Sequence, residues 1–407
     1  MDFNDTKEEA QFRQQAKQWL EENIVQFKQE FPFEVGDNVT DSQAAELAKA
    51  WQKRKFEGGW GCLTWPKAFG GREVSIMEAT IFAQEEAKVM PLAGMYIITS
   101  GMAVPTIMTH GTEEQCKQLL PSIANGERLW CQLFSEPAAG SDLAGIKTRA
   151  VKDGDDWIIN GQKVWTTLAH VSDWAILVVR TDPTVAKHKG LTYFVIDMKS
   201  PGVEVRPIKQ ASGESEFNEV FLTDVRIPDS QRLDAVGNGW RVAMTTLMNE
   251  RVAVGGAFSD NVEEILEVAR TTPLGQGRAI DDCGVRQSIA DWYVKAAGLK
   301  NIGLRQLSTL SKGGVPGPEA SVSKLVLGIG RQDLAAMSLD ILDMAGVLAE
   351  DDAMGWGSHD FFRTIGNRLE GGTDEILRNI ISERVLGLPA EIRVDKDVPF
   401  NQVPSGA

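Results

Sequence analysis

The apolar residues of this chain change their spacing twice, and this change constrains the fold more than any other feature of the sequence. Up to about residue 127 they recur at helical intervals, from there to about residue 236 they form short runs, and from Trp240 the helical spacing returns. A helix needs a period of 3.6 residues and a strand a period of two. The pattern predicts a fold that is mainly α with a central antiparallel β domain.

The helical segments carry start signals as well as apolar stripes. Thr6 and Glu9 have the spacing of a capping box, and Thr112 and Gln115 repeat it. After the first box, one apolar stripe runs through Phe12, Ala16, Trp19 and Leu20. Further helices are predicted for residues 41–56, 242–251, 262–270, 286–304, 321–345 and 373–386.

The central segment is divided by turn signals at Asp153-Gly154-Asp155 and Asn160-Gly161. Strands are predicted for residues 157–159, 174–179, 192–196 and 219–222. Because no long helix separates these strands, antiparallel pairing is expected. The predicted organisation is a helical N-terminal domain (1–127), a middle β domain (128–236), a C-terminal helical bundle (237–390) and a polar tail (391–407).

Charge and composition limit the classes of function. The formal net charge of −15 argues against a nucleic-acid partner, because such surfaces neutralise phosphates with Lys and Arg. The four cysteines and four histidines show no metal-ligand spacing, so no metal is expected. The N-terminus does not resemble a signal peptide, and the longest apolar stretch, residues 95–108, is broken by Gly101 and Pro105. A cytoplasmic protein without a membrane span is expected.

One glycine pair resembles part of a dinucleotide-binding motif but does not complete it. Gly328-Ile329-Gly330 lacks the third glycine of the Rossmann fingerprint and falls inside a helical pattern. Close helix packing is the better interpretation.

Two motifs in the β segment indicate a ligand site. Residues 130–143 (WCQLFSEPAAGSDL) join a short strand to a loop of small residues, and small side chains let backbone N–H groups approach a planar ring or a pyrophosphate. Residues 160–167 (NGQKVWTT) add an aromatic face and hydroxyls in the same β unit. A surface turn and simple sheet packing remain alternatives, but the pairing of the motifs favours a ligand.

With these motifs the chain resembles the acyl-CoA dehydrogenase family. Three more segments match in order and spacing: HGTEEQ at 110–115, NER at 249–251 and EGGT at 370–373. The resemblance extends from the helical start to Leu388. It implies an acyl-CoA dehydrogenase-like fold, with a helical N-terminal domain, a β domain and a C-terminal four-helix bundle, and it implies FAD as the cofactor.

The resemblance also implies cofactor residues. The flavin ring and ribityl chain would contact Gln132, Phe134, Ser135, Trp165, Thr166 and Thr167. Ser141 would lie beside the pyrophosphate and the thioester end of the acyl-CoA. The adenosine half, usually held by a neighbouring subunit, would meet Arg278, Gln287, Gly346, Thr373 and Glu375. Leu342 stands where many members carry Gln, so a structural role for these residues, or a different neighbouring subunit, stays open.

The reaction of this family needs a base that removes the α proton of the thioester. In many members the base is a Glu directly before Gly-Thr in the late segment, where this chain has Gly371. In the isovaleryl and long-chain types it lies in an earlier helix within a Glu-Arg pair, which Glu250-Arg251 matches. The resemblance therefore implies Glu250 as the base and Arg251 as a cation of the substrate site. Glu370 is the alternative base.

The activity implied by the resemblance is α,β-dehydrogenation of an acyl-CoA to the 2-enoyl-CoA in lipid metabolism, such as fatty acid beta-oxidation. Electrons would pass to an electron-transferring flavoprotein. The expected assembly is a dimer or tetramer, with a homotetramer as the simplest case. Two alternatives remain: a flavin oxidase or monooxygenase of the same fold, and a non-catalytic partner subunit of a mixed complex. The sequence does not identify the acyl group.

Overall fold

The computed structural model describes residues 5–32, 40–257, 262–314, 317–350, 353–354 and 356–404. In this part of the chain the helices are α1 (Lys7–Glu30), α2 (Asp41–Glu57), α3 (Ile76–Glu86), α4 (Val104–His110), α5 (Glu113–Ala124), α6 (Gly239–Ala257), α7 (Val262–Thr271), α8 (Cys283–Ser311), α9 (Ala320–Leu342), α10 (Trp356–Asn367) and α11 (Asp374–Ile380). Among these helices, each is too short or too polar to span a bilayer.

Both capping boxes that the sequence predicts are formed. Thr6 Oγ1 accepts a hydrogen bond from the backbone N–H of Glu9 at 3.2 Å, and the Glu9 carboxylate accepts one from the Thr6 N–H at 2.7 Å. Thr112 and Gln115 make the same pair of bonds at the start of α5. These bonds satisfy backbone donors that have no partner within the helix. Helix α1 begins where the box places it and buries Phe12, Ala16 and Leu20, as the stripe predicts.

The predicted β segment forms one sheet. Its strands are β1 (Trp130–Leu133), β2 (Arg149–Asp153), β3 (Asp156–Thr167), β4 (Trp174–Arg180), β5 (Leu191–Asp197), β6 (Val203–Pro207), β7 (Phe217–Pro228) and β8 (Arg232–Leu233). The strand order is β6-β7-β3-β2-β4-β5-β8, and β1 pairs with β4. Four two-residue strands follow: β9 (Pro273–Leu274), β10 (Gly277–Arg278), β11 (Ala349–Glu350) and β12 (Ala353–Met354).

Strand direction differs from the expectation in two pairings, both of which involve β4. Most neighbours are antiparallel, but β1 runs parallel to β4, and β2 touches β4 in parallel at a single residue pair. The hairpin of β2 and β3 reverses the chain once, and the connection from β3 to β4 reverses it again. Strand β4 therefore runs in the direction of β1 and β2, without the helical crossover that parallel pairs usually need.

The C-terminal helices agree with the predicted ones in place and differ at their ends. Helix α9 ends at Leu342, before the predicted Ala345, because Asp343 adopts a positive φ of 49°. Helix α11 ends at Ile380 and continues as a π-helical turn, Ile381–Val385. Helix α10 was not predicted from the sequence.

The chain divides into two compact units. The first consists of Met1–Ile208, Glu216–Ala253 and Arg393–Ala407, and the second of Lys209–Ser215 and Val254–Ile392. The domain boundaries at residues 127, 236 and 390 stay a prediction. Within the first unit the predicted polar tail pairs with the β4–β5 connection through a bridge between Pro399 and Ala186.

Gly330 confirms that the Gly328–Gly330 pair serves helix packing. It lies within α9 and faces the buried Trp292 of α8, where an added Cβ would come within 1.8 Å of the indole ring. A side chain of any size at this position would push the two helices apart.

Gly330→Ala is therefore expected to destabilise the protein by about 1–3 kcal/mol, the usual cost of overpacking. Gly298→Ala in α8 is the control, because its added Cβ meets no described atom within 4 Å apart from its chain neighbours and the backbone of its own helix. It should be neutral or stabilising by up to about 1 kcal/mol, since alanine favours a helix. Thermal unfolding of both variants measures the difference, and equal midpoints would contradict the packing role.

Candidate active site

Strand β1 carries the first site residue. Cys131 and Leu133 are fully buried in the sheet core, so the alternation of a strand turns Gln132 to the other face. There Gln132 Nε2 donates a hydrogen bond to Glu250 Oε2 at 3.2 Å. Glu250 is half-buried and lies on α6. The structure thus brings together the proposed base and a proposed flavin residue.

Helix α6 is held in place one turn before Glu250 by buried hydroxyls. The Thr246 hydroxyl lies 2.9 Å from the hydroxyl of Thr106 on α4 and 2.9 Å from that of Tyr193 on β5. His110 Nε2 lies 2.8 Å from the hydroxyl of the neighbouring Thr245. Because residues four apart share a helix face, these contacts set the height and rotation of Glu250. Sequence reasoning did not identify them.

Strand β3 turns Trp165 outward through a bulge. The pairing of β3 with β7 shifts register between Lys163 and Thr166, and Trp165 has a φ of 59° and is 59% exposed. A left-handed conformation costs a non-glycine residue about 1–2 kcal/mol, so the surrounding structure must stabilise it. Buried Asn218 does so by donating to the carbonyl oxygens of Thr166 (2.9 Å) and Glu216 (3.0 Å).

Two buried polar atoms beside these features have no hydrogen-bond partner among the described residues: Gln132 Oε1 and Thr166 Oγ1. A buried polar atom without a partner costs about 1–3 kcal/mol, and a polar ligand can supply the missing bond. The two atoms lie on β1 and β3, and the N–H of Val164 on β3 donates to the carbonyl of Ser135, just after β1, at 2.9 Å. Together with the exposed Trp165 ring they fit a planar, hydrogen-bonding group such as the flavin of FAD.

The other residues of the two motifs differ in exposure. Phe134 is buried and packs edge-on against Tyr193, with the ring centroids 5.9 Å apart. Ser135 and Thr167 are half-buried, while Ser141 is exposed in the loop that follows β1.

A buried ion pair ties the two motifs together. Lys163 of β3 is fully buried, and its ammonium group donates to Glu136 Oε1 at 2.8 Å and to the Phe134 carbonyl at 2.9 Å. The Glu136 carboxylate also accepts from the N–H groups of Lys147 (2.6 Å) and Thr148 (3.0 Å). One carboxylate therefore closes the loop of residues 136–148 on itself.

Burial alone would raise the pKa of Glu136, but Lys163 and the hydrogen bonds to Thr148 and Lys147 outweigh it and bring the pKa below its usual value. Both residues belong to the motifs found in the sequence, but their pairing was not predicted. A signal was present: Trp157 and Ile159 are inward-facing, and the period of two along β3 continues that face to Lys163. A lysine at such a position requires a buried anion.

Glu370, the alternative base, lies in the EGGT segment, residues 370–373. Arg363 donates to both carboxylate oxygens of Glu370, at 3.1 and 3.2 Å. Gly371, at the position where many members have their base, has a φ of 62°, which a glutamate would adopt only with strain.

The residues proposed for the adenosine half lie on separate elements of the second unit. Arg278 and Gln287 are exposed and bond locally, Arg278 to the Thr271 carbonyl and Gln287 to Asp291. Thr373 caps α11 by accepting from the Ile376 N–H, Glu375 is exposed, and Gly346 lies in the turn after α9. Among the described residues, no hydrogen bond joins the first pair to the other three. The Arg251 side chain lies outside the described residues.

The variant Lys163→Met is expected to destabilise the protein by about 3–5 kcal/mol, because Glu136 would remain buried without its counter-ion. The double variant Glu136→Gln/Lys163→Met removes both charges and should be more stable than Lys163→Met alone. Denaturant unfolding of the three proteins checks the order. A double variant less stable than the single one would show that the pair is not the dominant contact.

The same pair predicts a pH dependence. The pKa of Glu136 is lower in the folded state than in the unfolded state. Its contribution to the free energy of unfolding is therefore present above the unfolded-state pKa of about 4.3 and is lost as the pH falls through the folded-state pKa. The stability difference between the wild type and the double variant should therefore narrow as the pH falls below about 4. A stability difference between the two proteins that stays constant from pH 7 to pH 3 would contradict this prediction.

The domain models of one family match three successive parts of this chain. They are the acyl-CoA dehydrogenase N-terminal domain at residues 6–127, the middle domain at 131–225 and the C-terminal domain at 237–386. The chain is 36% identical to the acyl-CoA dehydrogenase IpdE1 of Mycobacterium tuberculosis, over 94% of this chain and 98% of that protein. It is 42% identical to FadE34 of the same organism over 80% of this chain, which spans 44% of that longer protein.

A solved structure shows the same fold. The ChsE4–ChsE5 complex from Mycobacterium tuberculosis superimposes with a TM-score of 0.77 and 28% identity, over 96% of this chain and all of that chain. The chain therefore belongs to the acyl-CoA dehydrogenase family of FAD-dependent flavoproteins, oxidoreductases that act on the CH–CH bond of acyl-CoA thioesters.

Proposed function

We propose that this chain converts an acyl-CoA thioester to the 2-enoyl-CoA with Glu250 as the base. The observation that carries the proposal is the bond from Gln132 to Glu250 beside the two unpartnered buried oxygens Gln132 Oε1 and Thr166 Oγ1. A carboxylate held next to unsatisfied hydrogen-bonding groups is the arrangement that a base and a flavin ring require.

Glu250 takes the α proton of the thioester in this proposal. Bound FAD supplies the acceptor for the hydride that leaves the β carbon. The amide of Gln132 holds one carboxylate oxygen of Glu250, and helix α6, whose position depends on Thr246, carries the side chain. A general base needs this degree of positioning, because proton transfer requires contact within hydrogen-bond distance.

The remaining motif residues form the ligand cradle. Trp165 offers its exposed ring face, Thr166 its unpartnered hydroxyl, and Phe134, Ser135 and Thr167 the surrounding walls. Ser141 is proposed to contact the pyrophosphate and the thioester end, and Arg251 the substrate.

Glu370 is proposed to be structural. Its two carboxylate oxygens are both engaged by Arg363, and the carbonyl of the nearby Gly372 accepts from Lys324 at 2.6 Å. These contacts support a role in shaping the segment around Gly371 rather than in proton transfer.

An electron-transferring flavoprotein is the proposed acceptor, and a homotetramer is the proposed assembly. The mixed complex remains the second candidate for the assembly, because a similar solved structure is a complex of two named chains, ChsE4 and ChsE5. Arg278, Gln287, Gly346, Thr373 and Glu375 are proposed to hold the adenosine half of a neighbour's FAD. The exposed positions of Arg278, Gln287 and Glu375 in the second unit support contact with a group from another subunit.

The variant Glu250→Gln is expected to lower turnover by about 10²–10⁴-fold, because it keeps the shape of the side chain and removes the basic oxygen. FAD content and acyl-CoA binding should stay close to the wild type. Glu370→Gln is the control and should have a much smaller effect. Anaerobic bleaching of the flavin by a panel of acyl-CoA thioesters measures the rate and identifies the acyl group.

Reversed outcomes for the two variants would assign the base to Glu370. If neither change slows flavin reduction, neither carboxylate removes the α proton. Rapid reaction of the reduced flavin with oxygen would favour an oxidase or monooxygenase. A wild-type protein that cannot be reconstituted with FAD would favour a non-catalytic partner subunit.

Assembly is expected to be required for tight FAD binding. Dilution to monomers should release flavin, and Arg278→Ala should weaken FAD retention in the assembled protein, while Lys312→Ala, an exposed lysine of the same unit, should not. Size-exclusion chromatography with flavin absorbance follows both properties at once. A monomer that retains FAD with unchanged affinity would contradict the shared site.

A further inference from the structure

The C-terminal segment, residues 393–404, lies along the β4–β5 connection in a defined register. The Phe400 N–H donates to the Val185 carbonyl at 2.8 Å, and the Asn401 N–H donates to the Pro183 carbonyl at 2.9 Å. Ala186 and Pro399 form a β-bridge next to these contacts. Backbone hydrogen bonds of this kind fix a segment in position rather than letting it lie loosely on the surface.

A series of ion pairs connects this segment to the loop of residues 136–148, called the ligand loop below. Asp395 forms an ion pair with Lys187, and Lys187 Nζ also donates to both carboxylate oxygens of Asp142, each at 2.9 Å. The Lys187 side chain is 14% exposed and that of Asp142 is 61% exposed, so the lysine end of this link is shielded from water and the carboxylate end is not. Asp142 directly follows Ser141, the residue proposed to contact the ligand.

A second contact reaches the end of the same loop. The Phe400 ring stacks on the guanidinium group of Arg180, whose Cζ lies 3.5 Å from the ring centroid. Buried Arg180 donates to the carbonyl oxygens of Ala144 (2.6 Å) and Ile146 (3.1 Å), and also to that of Lys187 (3.0 Å). The ring therefore covers the cation that gathers these carbonyls, at a distance where a cation–π contact is favourable.

The start of the loop does not depend on this segment, because Lys163 and the N–H groups of Lys147 and Thr148 hold Glu136. Two sets of contacts therefore hold different parts of the loop. The Lys163–Glu136 pair holds residue 136 and residues 147–148, where the loop begins and ends, while Lys187 and Arg180 hold the part from Asp142 to Ile146.

We propose that the C-terminal segment is a positioning element of the ligand site, which sets Ser141 and Asp142 through Lys187 and Arg180. The inference rests on the proposed role of Ser141. It assigns to Asp395 and Phe400 an effect on the binding of the pyrophosphate-bearing ligands, FAD and acyl-CoA, without contact to either.

The test compares Asp395→Asn, Phe400→Ala and a deletion of residues 393–407 with the control Val394→Ser, whose side chain is 91% exposed. Hydrogen exchange of peptides covering residues 136–146 should become faster in the first three proteins and stay unchanged in the control. The KM for acyl-CoA or the Kd for FAD should rise about 5- to 20-fold in the deletion, as expected from the loss of two partly buried contacts. The turnover number at saturation should change little.

The double variant Asp142→Asn/Asp395→Asn separates action through Lys187 from an independent effect. Its KM should be close to that of Asp142→Asn alone, because both changes act through the same lysine. Additive effects would overturn the proposed route. A lower unfolding midpoint with unchanged exchange of residues 136–146 and unchanged KM would overturn the proposal. If the deletion variant does not fold, Asp395→Asn and Phe400→Ala still allow this outcome to be observed.

The exchange experiment needs no activity, so it distinguishes this inference from the proposed function. Faster loop exchange in a protein that turns over no acyl-CoA thioester would support the positioning element and refute the dehydrogenase.

Discussion

The buried ion pair between Lys163 and Glu136 is the contact on which the site depends. It joins β3 to the loop after β1, at 2.8 Å and away from water, and the same carboxylate binds two backbone N–H groups of the loop. Two charges in the sheet interior are stable only together, because either one alone would lack compensation for its lost hydration. The pair therefore requires the two motifs to be adjacent, and this adjacency places Gln132 and Thr166 within one region.

The position of Glu250 depends on a separate set of contacts. The Thr246 hydroxyl bonds to hydroxyls from α4 and β5. These bonds fix the position of the helix that carries Glu250 relative to both the N-terminal helices and the sheet. Such contacts are directional, whereas apolar packing alone tolerates small shifts and rotations. The bond from Gln132 then connects Glu250 to the strand whose neighbouring loop the ion pair holds.

Much of the fold could be predicted from local patterns. The capping boxes at Thr6 and Thr112 act over three residues, and the helices begin there because those bonds form within the helix itself. The parallel pairing of β1 with β4 could not be predicted in this way, because strand direction depends on how the intervening hairpin folds back. The same limit applies to the bulge at Trp165, which Asn218, more than fifty residues later, stabilises.

The sequence by itself determined the order of helical and β segments, the family, the cofactor class and the residues from which a base could be chosen. These follow from periodicity and from motifs that are contiguous in the chain. Only the tertiary structure decided that Lys163 and Glu136 pair, that Arg363 engages both oxygens of Glu370 while Glu250 meets Gln132, and that the C-terminal segment reaches the ligand loop. Apart from the Arg363–Glu370 pair, which is seven residues apart, those contacts join residues far apart in sequence, and no local pattern specifies which distant side chain will satisfy a buried charge.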